Sequence, residues 1–337
     1  MGERKRPALR QPGSRILGTG HYVPEKVVTN VDLEKIVETS DAWITERTGI
    51  RARRVAAPGE NSSDMAAAAS RRALEMAGVS PKDLGMIVLG TVTGDHPMPA
   101  TATYVQRKLG AQGCAAFDLS AACAGFLYGL AIADKFVSTG QVKYALVIGV
   151  ELLSRVLNWK DRTTCVLFGD GAGAAVLGPA SGDGRGIVST HLFADGDGAD
   201  DLTIPAGGVA EPATHDTVEK ARHFVHMQGQ AIFTAAVRNL ALATKIALEA
   251  NKVTSEDIDK VVAHQANMRI LSALASRLKM PLEKFYLNID RYGNTSSASV
   301  PIALDESYRA GIVKDGDLVL MSALGAGLSW GSALVVM

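Results

Sequence analysis

Three cysteines in 337 residues, at positions 114, 123 and 165, are too few and too widely spaced for a disulfide framework or a CxxC metal site. A reducing, cytoplasmic setting is the expectation. Net charge is equally scarce, since 35 basic residues meet 35 acidic ones. That balance argues against nucleic acid as a partner, while leaving room for a local basic patch. Long apolar runs are missing too. The longest, Ala121 to Ala133, is bounded by Asp118 and Asp134 and is too short to span a bilayer, so no membrane partner is expected. The opening residues, MGERKRPALRQPG, are basic but lack the apolar segment of a secretory signal, and Arg6 disfavours a myristoylation site. Residues 1–13 are therefore expected to form a flexible, solvated tail. The remaining composition, 47% hydrophobic and 21% charged, is that of a globular protein with a substantial core.

An internal repeat gives the architecture. ALEMAGVSPKDLGMIVLG begins at Ala73 and ALEANKVTSEDIDKVVAH at Ala247. At this offset of 174 residues Ala, Leu, Glu, Val, Asp and Val recur in place. Each copy reads as a helix end, short turns and a buried apolar strand. GQVKYALVIGVE at Gly140 and GIVKDGDLVLMSAL at Gly311 form a looser second pair. The pattern predicts a duplicated α/β chain with a first half over 14–185 and a second over 186–337. Short strands at Met86–Leu89, Ala145–Val150, Val261–Ala263 and Leu318–Met321 would alternate with Ala-rich helices in mixed or parallel sheets.

Within the first half, FDLSAACAGFLYGL (117–130) changes from strand-like to helix-like around Cys123. A helix start offers unpaired N–H groups and the positive end of the dipole, which favour thiolate. Gly125 and the flanking alanines leave room for a bulky acyl group. On this stretch alone a small core cysteine is an equally good reading. Cys114 and Cys165 have apolar or Thr-rich surroundings and read as structural. The second half offers polar partners. His264 in VVAHQANMRI follows the repeated strand, at the edge where open α/β sheets place their sites. Asn294 in DRYGNTSSASVP sits in a Gly/Ser-rich turn, where turn chemistry alone would also explain it.

Taken together, Cys in DLSAACAGF, His in HQANMRI and Asn in YGNTSSASVP resemble the triad of the β-ketoacyl-ACP synthase III family. ILGTGHYVPEKVVTN, TSDAWITERTGIRARR, FGDGAGAAVLG and the terminal WGSALVV extend the resemblance over nearly the whole chain from Ile16. The resemblance implies a duplicated thiolase-like fold: five layers, αβαβα, with two mixed sheets around a buried helix layer. It implies an acyltransferase that moves an acyl group from acyl-CoA onto Cys123 and then condenses it with malonyl-ACP. His264 and Asn294 would bind the thioester oxygen, and backbone N–H groups of Cys123 and Ala326 would hold the oxyanion. No metal or redox cofactor is implied, acyl-CoA and acyl carrier protein (ACP) being substrate and partner.

Position by position, the same resemblance puts Trp43, Arg47 and Arg162 against the CoA nucleotide and Asn267 near the pantetheine. It puts Met98 and Leu324 at the acyl pocket, where Phe is frequent in the family, so longer or branched primers are expected to fit. Arg269 and Arg277, about 80° apart around a helix, would face an acidic ACP, although Thr234 and Ser276 stand where basic residues often appear. A homodimer is implied as well, with Met98 contributing across its interface. Other readings are weaker. The glycine clusters GTGHY and GDGAGAA lack the G-x-G-x-x-G context of a dinucleotide site. A degradative thiolase would carry a second cysteine near the C-terminus, and a non-catalytic partner subunit would lack the nucleophile. A relative priming a specialised polyketide stays open.

Overall fold

The computed structural model describes residues 7–337. Of the tail expected over 1–13, residues 1–6 lie outside the described residues. Residues 7–13 run along the surface, with Leu9 packed on the core and the Gly13 carbonyl accepting from Ala180 N.

Two sheets carry the chain. The first runs in the order Ser14–Tyr22, Gly171–Pro179, Tyr144–Glu151, Leu84–Gly90, Ala115–Leu119. Its last three strands are mutually parallel and the first two pairings antiparallel. The second sheet repeats this order from the other half of the chain: Gly186–Ala194, Ser329–Val336, Leu318–Gly325, Lys260–Ala263. Its directions match as well. Where a fifth strand would complete the likeness, a single parallel bridge joins Val261 to Phe285. The two middle strands, Tyr144–Glu151 and Leu318–Gly325, are buried almost throughout, as expected when helices or a second layer cover both faces.

Five layers follow from three apolar clusters. Helix Ser62–Ala77 lays its Ala-rich face on the outer side of the first sheet. Helices Gly229–Ala250 and Met268–Leu278 cover the outer side of the second. Between the sheets lie two short helices, Gly125–Ser138 and Ser299–Arg309, whose residues share one cluster with strands of both sheets. Helix Gly229–Ala250 is long and apolar enough to cross a membrane by length and composition, but its buried face is spent on the second sheet.

The 174-residue offset extends beyond the repeat visible in the sequence. The helix that ends before Gly78 and the one that ends before Asn251 both leave through a left-handed residue, Gly78 at φ 64° and Lys252 at φ 55°. Each central helix is entered through a 3-10 turn, at Ala122–Ala124 and Ser296–Ala298. The first residue of each turn has positive φ, 44° at Ala122 and 48° at Ser296. Cys123 and Ser297 therefore occupy equivalent corners, and the two turns are in contact with one another.

Candidate active site

The corner that carries Cys123 is tightly built. A Cβ on Gly325 would collide with Cys123 N and come within 2.9 Å of Ala122 Cβ, so strand Leu318–Gly325 can pass this close to the nucleophile only because it ends in glycine. Cys123 is 6% exposed, yet it lines two cavities. One, about 160 Å³, is lined also by His264, Asn267, Asn294, Phe233 and Leu324. The other, about 250 Å³, is apolar and is lined by Leu153, Phe168, Leu202, Val225 and Ala326 among others. Cys123 is shared by both linings, as are Phe168 and Leu202.

His264 follows strand Lys260–Ala263 and is held in place by its backbone N–H on Ser322 O at 2.8 Å. Its Nδ1 is 2.6 Å from Ser299 Oγ, which is also 2.8 Å from the Ser296 carbonyl. That hydroxyl has one proton for two acceptors. When it donates to Nδ1, the imidazole proton stands on Nε2. Burial pushes His264 down to about 3, so the ring is neutral. Asn294 is fixed by Ser296 N donating to its Oδ1 at 2.8 Å. The acceptor end being occupied, the amide Nδ2 is the group left for the cavity.

Ser296 thus joins all three residues. Its N–H holds Asn294, its carbonyl lies 2.8 Å from the Ser299 hydroxyl that serves His264, and its own hydroxyl donates to Glu151 at 3.2 Å and favours the Cys123 thiolate as a neighbouring donor. Neither Ser296 nor Glu151 was expected from the sequence. The repeat offset offered a signal for the first, since it maps Ala122 and Cys123 onto Ser296 and Ser297. For the thiol the sequence expectation of a favoured thiolate needs correction. Burial, the largest influence, pushes Cys123 up to about 12, so desolvation outweighs the helix end and the resting sulfur is protonated.

The remaining predicted residues fall in two groups. Trp43, on helix Asp41–Thr48, is stacked by Arg47 at 4.7 Å and by Arg162 at 5.3 Å from its ring centre. That helix packs on Met268–Leu278, whose Ile270 lines the smaller cavity. Asn267 lines this cavity and also caps helix Met268–Leu278, accepting from Arg269 N at 2.8 Å. Arg269 reaches over Phe233, which lines the same cavity, and Arg277 is exposed on the same helix. Ala326 joins Cys123 in the lining of the apolar cavity. Leu324 lines the smaller cavity, not the apolar one, and Met98 is 85% exposed and lines neither. The apolar lining comes instead from Leu153, Phe168, Leu202, Ile204 and Val225, residues from four separate stretches of chain whose convergence no local pattern announces.

A cysteine at the entrance to a buried helix, sandwiched between two like sheets and faced by His and Asn from the second half, defines the class of thiolase-fold condensing enzymes. Comparison with known proteins narrows it. Residues 117–196 match the family described as 3-oxoacyl-[acyl-carrier-protein (ACP)] synthase III, and residues 248–337 match its C-terminal domain. The β-ketoacyl-[acyl-carrier-protein] synthase III of Caldanaerobacter subterraneus subsp. tengcongensis is 56% identical over 95% of this chain and 96% of its own. That of Symbiobacterium thermophilum is 55% identical over 94% and 96%. The crystal structure of 3-oxoacyl-[acyl-carrier-protein] synthase III from Aquifex aeolicus VF5 superimposes with a TM-score of 0.89 at 46% identity, covering 96% of this chain and all of that one. The chain belongs to the β-ketoacyl-ACP synthase III family.

Proposed function

We propose that the chain catalyses the decarboxylative Claisen condensation of an acyl-CoA primer with malonyl-ACP, giving 3-oxoacyl-ACP and opening fatty-acid synthesis. The observation that carries this reading is that Cys123 lines two cavities, one of which also holds His264 and Asn294. An apolar chamber suits an acyl chain, and a smaller, mainly apolar passage into which His264, Asn267 and Asn294 bring polar groups suits a pantetheine arm.

In the first stage Cys123 sulfur attacks the thioester carbonyl of acyl-CoA and CoA thiolate leaves. N–H groups of Cys123 and Ala326 stabilise the oxyanion, each contributing about 3–4 kcal/mol. In the second stage malonyl-ACP enters through the same passage. His264 Nε2 and Asn294 Nδ2 donate to its thioester oxygen, where enolate charge develops as CO2 leaves. The carbanion then attacks the acyl-cysteine. A neutral ring is the better donor here, because it stabilises the enolate without competing to protonate the carbanion.

Trp43, Arg47 and Arg162 take the CoA nucleotide by stacking and phosphate pairing, with Asn267 on the pantetheine. Arg269 and Arg277 face the acidic carrier protein. Leu324 borders the reacting carbonyl. Met98, too exposed to stay bare in a finished acyl pocket, closes the chamber of a second copy across a homodimer interface. The chain arose as two fused copies, 14–185 and 186–337, and works in the cytoplasm without metal or redox cofactor. Incubation with acyl-CoA primers from acetyl to dodecanoyl and malonyl-ACP tests the reading. Release of CO2 with formation of 3-oxoacyl-ACP supports it, and CoA release without condensation on any primer would overturn it.

A further inference from the structure

Glu151 ends strand Tyr144–Glu151 fully buried, and no cation pairs with it among the described residues. A buried carboxylate without a counter-ion is costly, yet the condensation as described makes no use of it. Four residues donate to it. Thr93 Oγ1 reaches Oε2 at 2.5 Å and Thr91 Oγ1 at 3.3 Å, while Val92 N lies 3.3 Å from Oε1 and 3.2 Å from Oε2. These come from one short segment of chain. The fourth donor, Ser296 Oγ, comes from the other half, on a turn that packs against the turn of Cys123, and both residues line the apolar cavity.

We propose that Glu151 holds the proton of Cys123 while the acyl group is on the sulfur, with Ser296 Oγ as the bridge. This rests on the reading of Cys123 as the acyl carrier. In acylation the thiol proton passes to Ser296 Oγ as the Ser296 hydroxyl proton passes to Glu151 Oε1. The sulfur forms its bond to the acyl carbon, and CoA leaves as thiolate to be protonated by water. In condensation the carbanion displaces Cys123 as thiolate, and Glu151 returns its proton by the same bridge. The enzyme is regenerated, and one proton is taken up for each CO2 released.

Other proton acceptors near Cys123 are poorer. His264 is too weakly basic when buried to keep a proton from a thiol. Burial, the largest influence on Glu151, raises it to about 7 against the hydrogen bonds that lower it. Its carboxyl can therefore take and release a proton near neutrality. Cys123 is the titratable group that faces it across Ser296. Segment 91–93 presents only hydroxyl and amide groups, and Asp170 lies in a separate network with Ser154 and Ala56.

The test is single-turnover acylation of the intact enzyme by acetyl-CoA, followed by protein mass between about pH 5 and pH 9. Wild-type rates should rise through an inflection near pH 7. Glu151→Gln and Ser296→Ala should each lose about 10²-fold together with the inflection, and Glu151→Asp should recover part of both. Ser296→Ala keeps the backbone groups that hold Asn294 and Ser299. Because the two residues act in series, the double variant should be no slower than the worse single one. A Glu151→Gln enzyme within about threefold of wild type, multiplied losses in the double variant, or a wild-type profile flat through neutrality would each overturn the relay. If wild type takes no acyl group onto Cys123 at all, the reading of function falls first and the relay with it.

Discussion

Replacing Gly325 by Ala tests how narrowly the nucleophile is placed. The added methyl would stand 2.9 Å from Ala122 Cβ and 3.1 Å from Ala121 O, where ordinary contact begins at 3.4 Å, and it would overlap Cys123 N more severely still. All of these neighbours belong to the backbone corner or its alanines, and none is a flexible side-chain end that can swing away. Either the strand end or the Cys123 turn must move, by at least about 0.5 Å against Ala122 and on the order of 1 Å against the amide. A displacement of that size between reacting groups costs about 10² in rate. The same shift moves Cys123 N, one of the two proposed oxyanion donors, so acylation should suffer at its first step. The assay is the single-turnover rate of acyl-Cys123 formation, with thermal unfolding measured alongside to show that the variant is folded. Overpacking of this kind costs about 1–3 kcal/mol of stability, which a chain with this much buried core should survive. A folded Gly325→Ala enzyme acylating within about threefold of wild type would refute the claim that this corner is set by close packing.

Asn294→Asp preserves the acceptor that holds Ser296 N and removes the donor aimed at the cavity. It should leave acylation within about threefold while lowering condensation by about 10²–10³, measured as CO2 release from malonyl-ACP by pre-acylated enzyme. Equal losses in both steps would contradict the division of labour. Val225→Phe fills part of the apolar chamber and should shift preference toward short primers. The ratio of acetyl-CoA to dodecanoyl-CoA acylation rates should rise at least about tenfold, a few buried methylenes being worth about 1–3 kcal/mol of discrimination. An unchanged ratio would place the acyl chain elsewhere.

Much of this architecture can be read from the chain because burial on both faces leaves an unbroken mark. Strands such as Leu84–Gly90 and Leu318–Gly325 are apolar runs bounded by turn residues, and the repeat around Ala73 and Ala247 marks equivalent places in the two sheets. Cys123, His264 and Asn294 are legible as an ordered set and not one by one, and the structure brings all three to one cavity. Ser296 and Glu151 carry no such mark. A serine in NTSSAS reads as turn chemistry, and an acid at a strand end reads as a solvated terminus. Their burial arises only when two segments 145 residues apart meet. The ionisation of Cys123 is hidden in the sequence for a related reason. The helix start is visible in the sequence, whereas the desolvation that outweighs it is a property of the closed site. The apolar chamber draws on residues spread from Val92 to Ala326, so its shape has no local signature.

The central claim is that Cys123 sulfur carries the acyl group in a site completed by the other half of the chain. Digestion of the protein after brief exposure to isotopically labelled acyl-CoA, with mass mapping of all three cysteine peptides, tests it most directly. The label should appear on Cys123 alone, disappear in Cys123→Ser and be discharged by malonyl-ACP. Label on Cys114 or Cys165, or none on any cysteine, would contradict the account.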